Sequence, residues 1–129
     1  MLSDDMYLIP YGKKWKLGEA FSLTTSSGFY IEIPNGFVTN LVSVPRIFRG
    51  FISPHGRYTK AAVAHDYLYS EYAKMFNTMT LVWINPDQEQ ADKAFYHLMM
   101  ELDVKEWRCN LMYRMVRIFG RFHFEGENS

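Results

Sequence analysis

His65 and Asp66 stand side by side in a stretch, Lys60 to about Ala73, that lacks Gly and Pro and is rich in Ala and Tyr. Burying an imidazole and a carboxylate among such residues is expensive unless each finds a partner, so compensating groups are expected nearby. Tyr69 follows His65 by one helical turn on the same face. A later helical stretch offers Asp92, next to the core position Ala91 and three residues before Phe95. If the two helices pack antiparallel, Asp92 meets His65. A carboxylate that holds one imidazole nitrogen leaves the other free to take a proton from water, which is the orienting logic of general-base catalysis. Asp66, pointing elsewhere, would then be free to bind a cation, and an oxygen ligand suits calcium or magnesium. The same residues can equally form a satisfied buried network that fixes helix register without catalysis. The pattern leaves both readings open.

Weaker candidates surround this pair. His55 and Arg57, in Pro54-His55-Gly56-Arg57, sit just before the first helix and either line the same pocket or position the turn. Ser43 has no base near it in sequence. Asp66 with Asp92 can be read as a glycosidase acid pair, although nothing specifies carbohydrate. His97 lies beside core positions and reads as a packed histidine. Arg114, Arg117 and Arg121 form a basic stripe beside an apolar, Met-rich face. That stripe reads first as a solvated surface, and second as a contact for phosphate or an acidic partner. No phosphate loop, nucleophile elbow, H-E-x-x-H or paired C-x-x-C is present.

The elements that must position these residues fall in two parts. The first third reads as short strands: Met6 to Ile9, Trp15 to Leu17, Ala20 to Thr24, Phe29 to Ile33 and Phe37 to Thr39. Ser26-Ser27-Gly28 and Pro34-Asn35-Gly36 supply turns between them. Thr59 is the expected N-cap of a helix from Lys60 to about Ala73, apolar on more than one side. Met79 to Ile84 is a β-prone run, an extra strand or hairpin arm. Asn85-Pro86-Asp87 starts a second helix, with Asn85 as its N-cap and Pro86 at its first position, running to about Leu102 with Ala91, Phe95, Leu98 and Leu102 as its core stripe. Asp103 is the expected cap of a third helix from Val104 to Phe119, ended by Gly120. Its core side is Leu111, Met112, Met115 and Phe119. The expected architecture is α+β: a small N-terminal antiparallel sheet packed on three C-terminal helices. One domain over residues 1–129 is expected, strand-rich over about 6–40, helical over 59–120 and ending in a loose tail from 121.

Composition bounds the function. At 129 residues with 17% aromatics the chain can build a core and is not low-complexity. Fourteen basic and fourteen acidic residues argue against nucleic-acid binding through overall basicity. The single cysteine, Cys109, excludes an intrachain disulfide framework and a four-cysteine zinc site. No apolar run approaches a membrane span, and the acidic start does not read as a signal peptide.

Gly36-Phe37-Val38-Thr39-Asn40-Leu41-Val42-Ser43-Val44-Pro45-Arg46 and the run from His55 through His65-Asp66-Tyr67-Leu68-Tyr69 resemble a phage and prophage family, domain of unknown function 1353. The resemblance continues through Ala91-Asp92-Lys93-Ala94-Phe95 and Trp107-Arg108 to Phe119-Gly120. Where that family usually has Asp after the Thr of G-F-x-T-D, this chain has Asn40, and a neutral amide there would weaken a cation site. The resemblance implies a bacteriophage or prophage origin and a virion- or tail-associated accessory role. Other phage structural proteins or a host envelope component would be its partners, in the virion or the host cytoplasm. The His65-Asp66-x-x-Tyr69 helix with a later Asp92 is also similar to the active-site helices of calcium-dependent secretory phospholipases. That likeness implies His65 as the base that activates water, Asp66 as the calcium ligand, and Tyr69 and Asp92 holding the imidazole. The disulfides and Gly-rich calcium loop of those enzymes are missing here. The alternative expectation is therefore a small cation-dependent hydrolase, phospholipase-like or envelope-degrading, used in infection or lysis.

Overall fold

Turn chemistry organises the first part of the chain. The computed structural model describes residues 6, 8–12, 14–39, 57–71 and 73–120, apart from the side chains of Arg57, Tyr58 and Phe119. Strands β1 (Leu8–Tyr11) and β2 (Lys14–Leu17) pair antiparallel, and β2 also pairs with β5 (Val38–Thr39), setting Trp15 opposite Thr39. Strands β3 (Phe21–Thr24) and β4 (Phe29–Ile33) form a hairpin across the Ser26-Ser27-Gly28 turn. Gly28 and Gly36 adopt φ of 93° and 89°, which the absence of a Cβ permits at both turns. β6 (Met75–Asn77) and β7 (Val82–Ile84) complete a second sheet of order β3-β4-β6-β7, beside the three-stranded sheet β1-β2-β5.

The class is α+β. The strands form two antiparallel sheets instead of one, and β6 and β7 fall between the first two helices, where the sequence offers the one β-prone run Met79 to Ile84. Pro10 lies inside β1 instead of ending it; β1 is an edge strand, where a missing N–H costs no ladder bond. β6 escapes sequence reading because three residues carry no period. Of the Met79 to Ile84 run only its second half is strand. The first half is a turn in which the Asn77 side-chain oxygen accepts from the N–H groups of Met79 and Thr80 at 2.9 and 3.3 Å.

Three helices follow with shifted ends. α1 (Arg57–Leu68) begins before Thr59, which is fully buried within its first turn instead of capping it. It stops short of Ala73 because Ser70 Oγ and Ser70 N–H both donate to the Tyr67 carbonyl. α2 (Gln88–Glu101) is capped by Asp87, not Asn85: Asp87 Oδ1 accepts from Gln90 N–H at 2.7 Å while Gln90 Oε1 accepts from Asp87 N–H at 3.0 Å. Asn85 instead donates to the Ala73 carbonyl. α3 (Glu106–Phe119) starts after Lys105, which makes no side-chain cap, while Asp103 takes a positive φ in the preceding turn.

The core joins both parts. The alternate residues Phe21 and Leu23 of β3 and Ile31 and Ile33 of β4 are buried against Ala61, Val63, Ala64 and Leu68 of α1, which is buried nearly all round. Ala91, Phe95, Leu98 and Leu102 are buried as the α2 stripe, and Met112 brings in α3. α2 packs against both α1 and α3, so whatever projects from its middle turns meets both neighbours. Among the described residues no helix is long and apolar enough to cross a membrane.

Candidate functional site

Asp92 is a completely buried carboxylate, and three helices supply its partners. From α1, His65 Nε2 lies 2.7 Å from Asp92 Oδ1, and the hydroxyl of Tyr69, just past the end of that helix, donates to the same oxygen. From α3, Arg117 Nη1 donates to Asp92 Oδ2 at 3.0 Å. Late residues of α1 and α3 thus meet an early residue of α2, as antiparallel neighbours do. A carboxylate only accepts, so the His65 ring donates its Nε2–H to Asp92, and Nδ1 is the ring nitrogen turned away from this carboxylate. The ring is held between Tyr69 and Phe95, with centroids 4.1 and 4.6 Å away. Only 14% of the His65 side chain is exposed.

Electrostatics follow from this burial. Desolvation pushes the Tyr69 phenol well above its ordinary pKa of 10.0, and the Asp92 carboxylate pushes it further, so Tyr69 stays a donor. Burial pulls the Arg117 guanidinium down, but its hydrogen bond and charge contact with Asp92 hold it above its ordinary value. The packing around the hydroxyl is tight: a Cβ on Gly120 would collide with the Tyr69 oxygen. Gly120 has φ −61°, so this close approach, and not a left-handed backbone, is what excludes a side chain there.

Asp66, next in sequence, leaves the helix in another direction. Its Oδ2 accepts from the buried Thr39 hydroxyl of β5 at 2.7 Å, which ties α1 to the three-stranded sheet. Among the described residues no group of three His, Cys, Asp or Glu side chains gathers in a way that could hold a metal ion. Asn40, Ser43, His55, Arg121 and the side chain of Arg57 lie outside the described residues, as does Tyr72. Arg114 is exposed and takes no part in the cluster. Asp66 and Asp92 hold different partners, Asp66 the Thr39 hydroxyl and Asp92 the His65, Tyr69 and Arg117 side chains.

Sequence reading brings His65, Tyr69 and Asp92 together as the structure does. It differs on Arg117, which reads as solvated surface yet reaches inward to Asp92. The signal lies in the charge count: a buried carboxylate calls for a cationic partner, and α3 carries the nearest basic stripe. Gly120 was read as a helix stop; its contact with Tyr69 spans 51 residues and leaves no local trace.

These features define an α+β protein whose helices enclose a His–Tyr–Asp–Arg cluster. The chain belongs to the family described as Protein of unknown function (DUF1353), whose family model matches residues 15–116. The match takes in His65, Asp66, Tyr69 and Asp92 and stops one residue before Arg117. No curated protein and no solved structure matches the chain.

Proposed function

We propose that this chain is a small hydrolase in which His65 is the general base and Asp92 its orienting carboxylate. The 2.7 Å contact between His65 Nε2 and a fully buried Asp92 carries this reading. His65 Nδ1 takes the proton of a water molecule, and the oxygen so activated attacks the electrophilic centre of an ester or phosphoester. Asp92 stabilises the imidazolium that forms, and the leaving group then takes the proton back. Tyr69 and Arg117 do not touch substrate; they position Asp92. Asp66 is the residue that would carry a calcium or magnesium ion, sharing its carboxylate with Thr39. Hydrolysis of phospholipid and simple ester substrates with calcium and with chelator tests this. A calcium requirement that Asp66→Asn raises, or turnover that the variant loses, supports the cation role, and turnover indifferent to chelator removes it.

The setting we propose is a bacteriophage or prophage, as an infection-stage or virion-associated component. One observation favours a binding role in an assembly: Met79, Leu81, Val82 and Trp83 leave 83, 73, 52 and 51% of their surfaces exposed on the β6–β7 hairpin. Exposed apolar groups clustered on one hairpin are typical of contact surfaces. Mass spectrometry of purified particles tests it, and absence of the chain from particles refutes it.

A further inference from the structure

Where α1 ends, a second set of side chains gathers on the far side of the helix from His65. Tyr67 follows His65 by two positions, roughly 200° around the axis. With Glu32, Pro34, Lys74 and Trp83 it lines an open cavity of about 370 Å³. That volume lies near the lower end of the roughly 300–1,000 Å³ range of small-molecule sites.

The sheet builds one wall of this cavity. Tyr30 of β4 is in register with Phe76 of β6, and Phe76 with Trp83 of β7, so three aromatic rings form a row across the sheet. Glu32 stands two residues from Tyr30 on the same face, and its Oε1 accepts from the Tyr30 hydroxyl at 3.1 Å. The Trp83 indole is braced by Phe76 and Tyr30, with centroids 5.1 and 6.4 Å away, yet half of its surface remains exposed. An indole fixed on one side and open on the other is a stacking platform. The opposite charges of Glu32 and Lys74 sum to zero, so the cavity offers no net attraction to an anion or a cation and suits an uncharged, hydrogen-bonding ligand. Together they offer carboxylate oxygens as acceptors and ammonium hydrogens as donors, and the Tyr67 hydroxyl, which accepts from the Lys74 backbone, adds an O–H donor. Burial raises the Tyr67 phenol above its ordinary pKa, which keeps that hydroxyl protonated.

We infer that this cavity binds an uncharged saccharide unit, with the apolar face of a pyranose ring on Trp83 and its hydroxyls on Glu32, Lys74 and Tyr67. A flat ring with hydroxyls around its edge is the ligand class that uses a stacking surface, an acceptor and a donor at once. The aromatic row leading from the cavity across three strands suits a chain of such rings better than a compact zwitterion. This site shares no residue with the His65 cluster and stands whether or not hydrolysis is found.

The test is an amide and indole NMR titration of the full chain with methyl glucoside, N-acetylglucosamine and the β1,4-linked disaccharides of glucose and N-acetylglucosamine. Free proline, glutamate and a proline-rich peptide form the comparison arm. The Trp83 indole signal, assigned by its loss in Trp83→Ala, is expected to shift saturably with a saccharide, more strongly for a disaccharide. Trp83→Ala and Glu32→Gln, both at exposed positions, are expected to weaken that binding by about tenfold or more while melting normally. No shift with any saccharide, a shift only with the amino acids or peptide, or saccharide binding that survives Trp83→Ala each overturns the inference.

Discussion

Arg117 places its Nη1 3.0 Å from Asp92 Oδ2, and this one contact makes the third helix a partner of a pair formed by the other two. The Arg117 side chain is 36% exposed while Asp92 is not exposed at all, so the pair bridges surface and interior. Removing the guanidinium takes from the buried carboxylate its permanently charged partner. Arg117→Met is expected to lower stability by about 1–3 kcal/mol, less than for a fully buried pair because water partly screens the arginine. A denaturant double-mutant cycle with Asp92→Asn should return a coupling above about 0.5 kcal/mol. Additive effects would show that the contact contributes nothing.

Gly120 is expected to resist even the smallest side chain. Ala replaces Gly in most helical positions with a gain near 1 kcal/mol, and the αR backbone at Gly120 would allow it. Because the new methyl would meet the Tyr69 hydroxyl, Gly120→Ala should instead destabilise by about 1–3 kcal/mol. Adding Tyr69→Phe removes the nearest clashing atom and should restore part of the loss in a thermal melt.

The alkaline limit of stability should depend on Tyr69. Its folded-state pKa is raised above the ordinary 10.0, so the folded state favours the protonated phenol. The associated stability is fully present below pH 10 and is lost as the pH climbs from there toward the folded value. Tyr67, also raised, adds to the same decline. Unfolding curves measured upward from pH 9 should show a shallower decline in Tyr69→Phe, whose stability at neutral pH should be lower by about 1–3 kcal/mol for the lost bond to a charged acceptor.

Leu81 occupies the left-handed region, at φ 59°, on an exposed hairpin. Leucine is a poor choice for that backbone, and strain of this kind costs about 1 kcal/mol or more. Leu81→Asn should therefore raise the melting temperature. If the hairpin is an assembly contact, the same variant should incorporate less well into particles; unchanged incorporation would place the contact elsewhere.

Much of the site was legible because its signal is local. His65, Asp66 and Tyr69 share one helical segment, and Asp92 sits beside a core residue of the next, so periodicity aligns them once the two helices are taken to pack antiparallel. The α2 stripe of Ala91, Phe95, Leu98 and Leu102 was legible for the same reason. What escaped depends on tertiary neighbours. The three residues of β6 are strand only because Phe29 and Tyr30 pair with them. The division into two sheets depends on β2 choosing β5 and β4 choosing β6, which no turn residue announces. The caps moved because Asp87 found Gln90 and Ser70 found the Tyr67 carbonyl, local contacts that compete with equally plausible ones one or two residues away. Arg117 and Gly120 act across the helix interface, where sequence spacing carries no distance information.

The most direct test of His65 as a base is its removal under conditions where the fold is monitored. Initial rates on phospholipid and simple ester substrates should be compared for wild type and His65→Ala, alongside a melting curve for each. The expected result is turnover by the wild type that falls by about 10²–10⁴ in a variant that is still cooperatively folded at the assay temperature. No turnover by the wild type, or equal turnover by both proteins, would contradict the catalytic reading and leave the cluster as a polar network that fixes three helices.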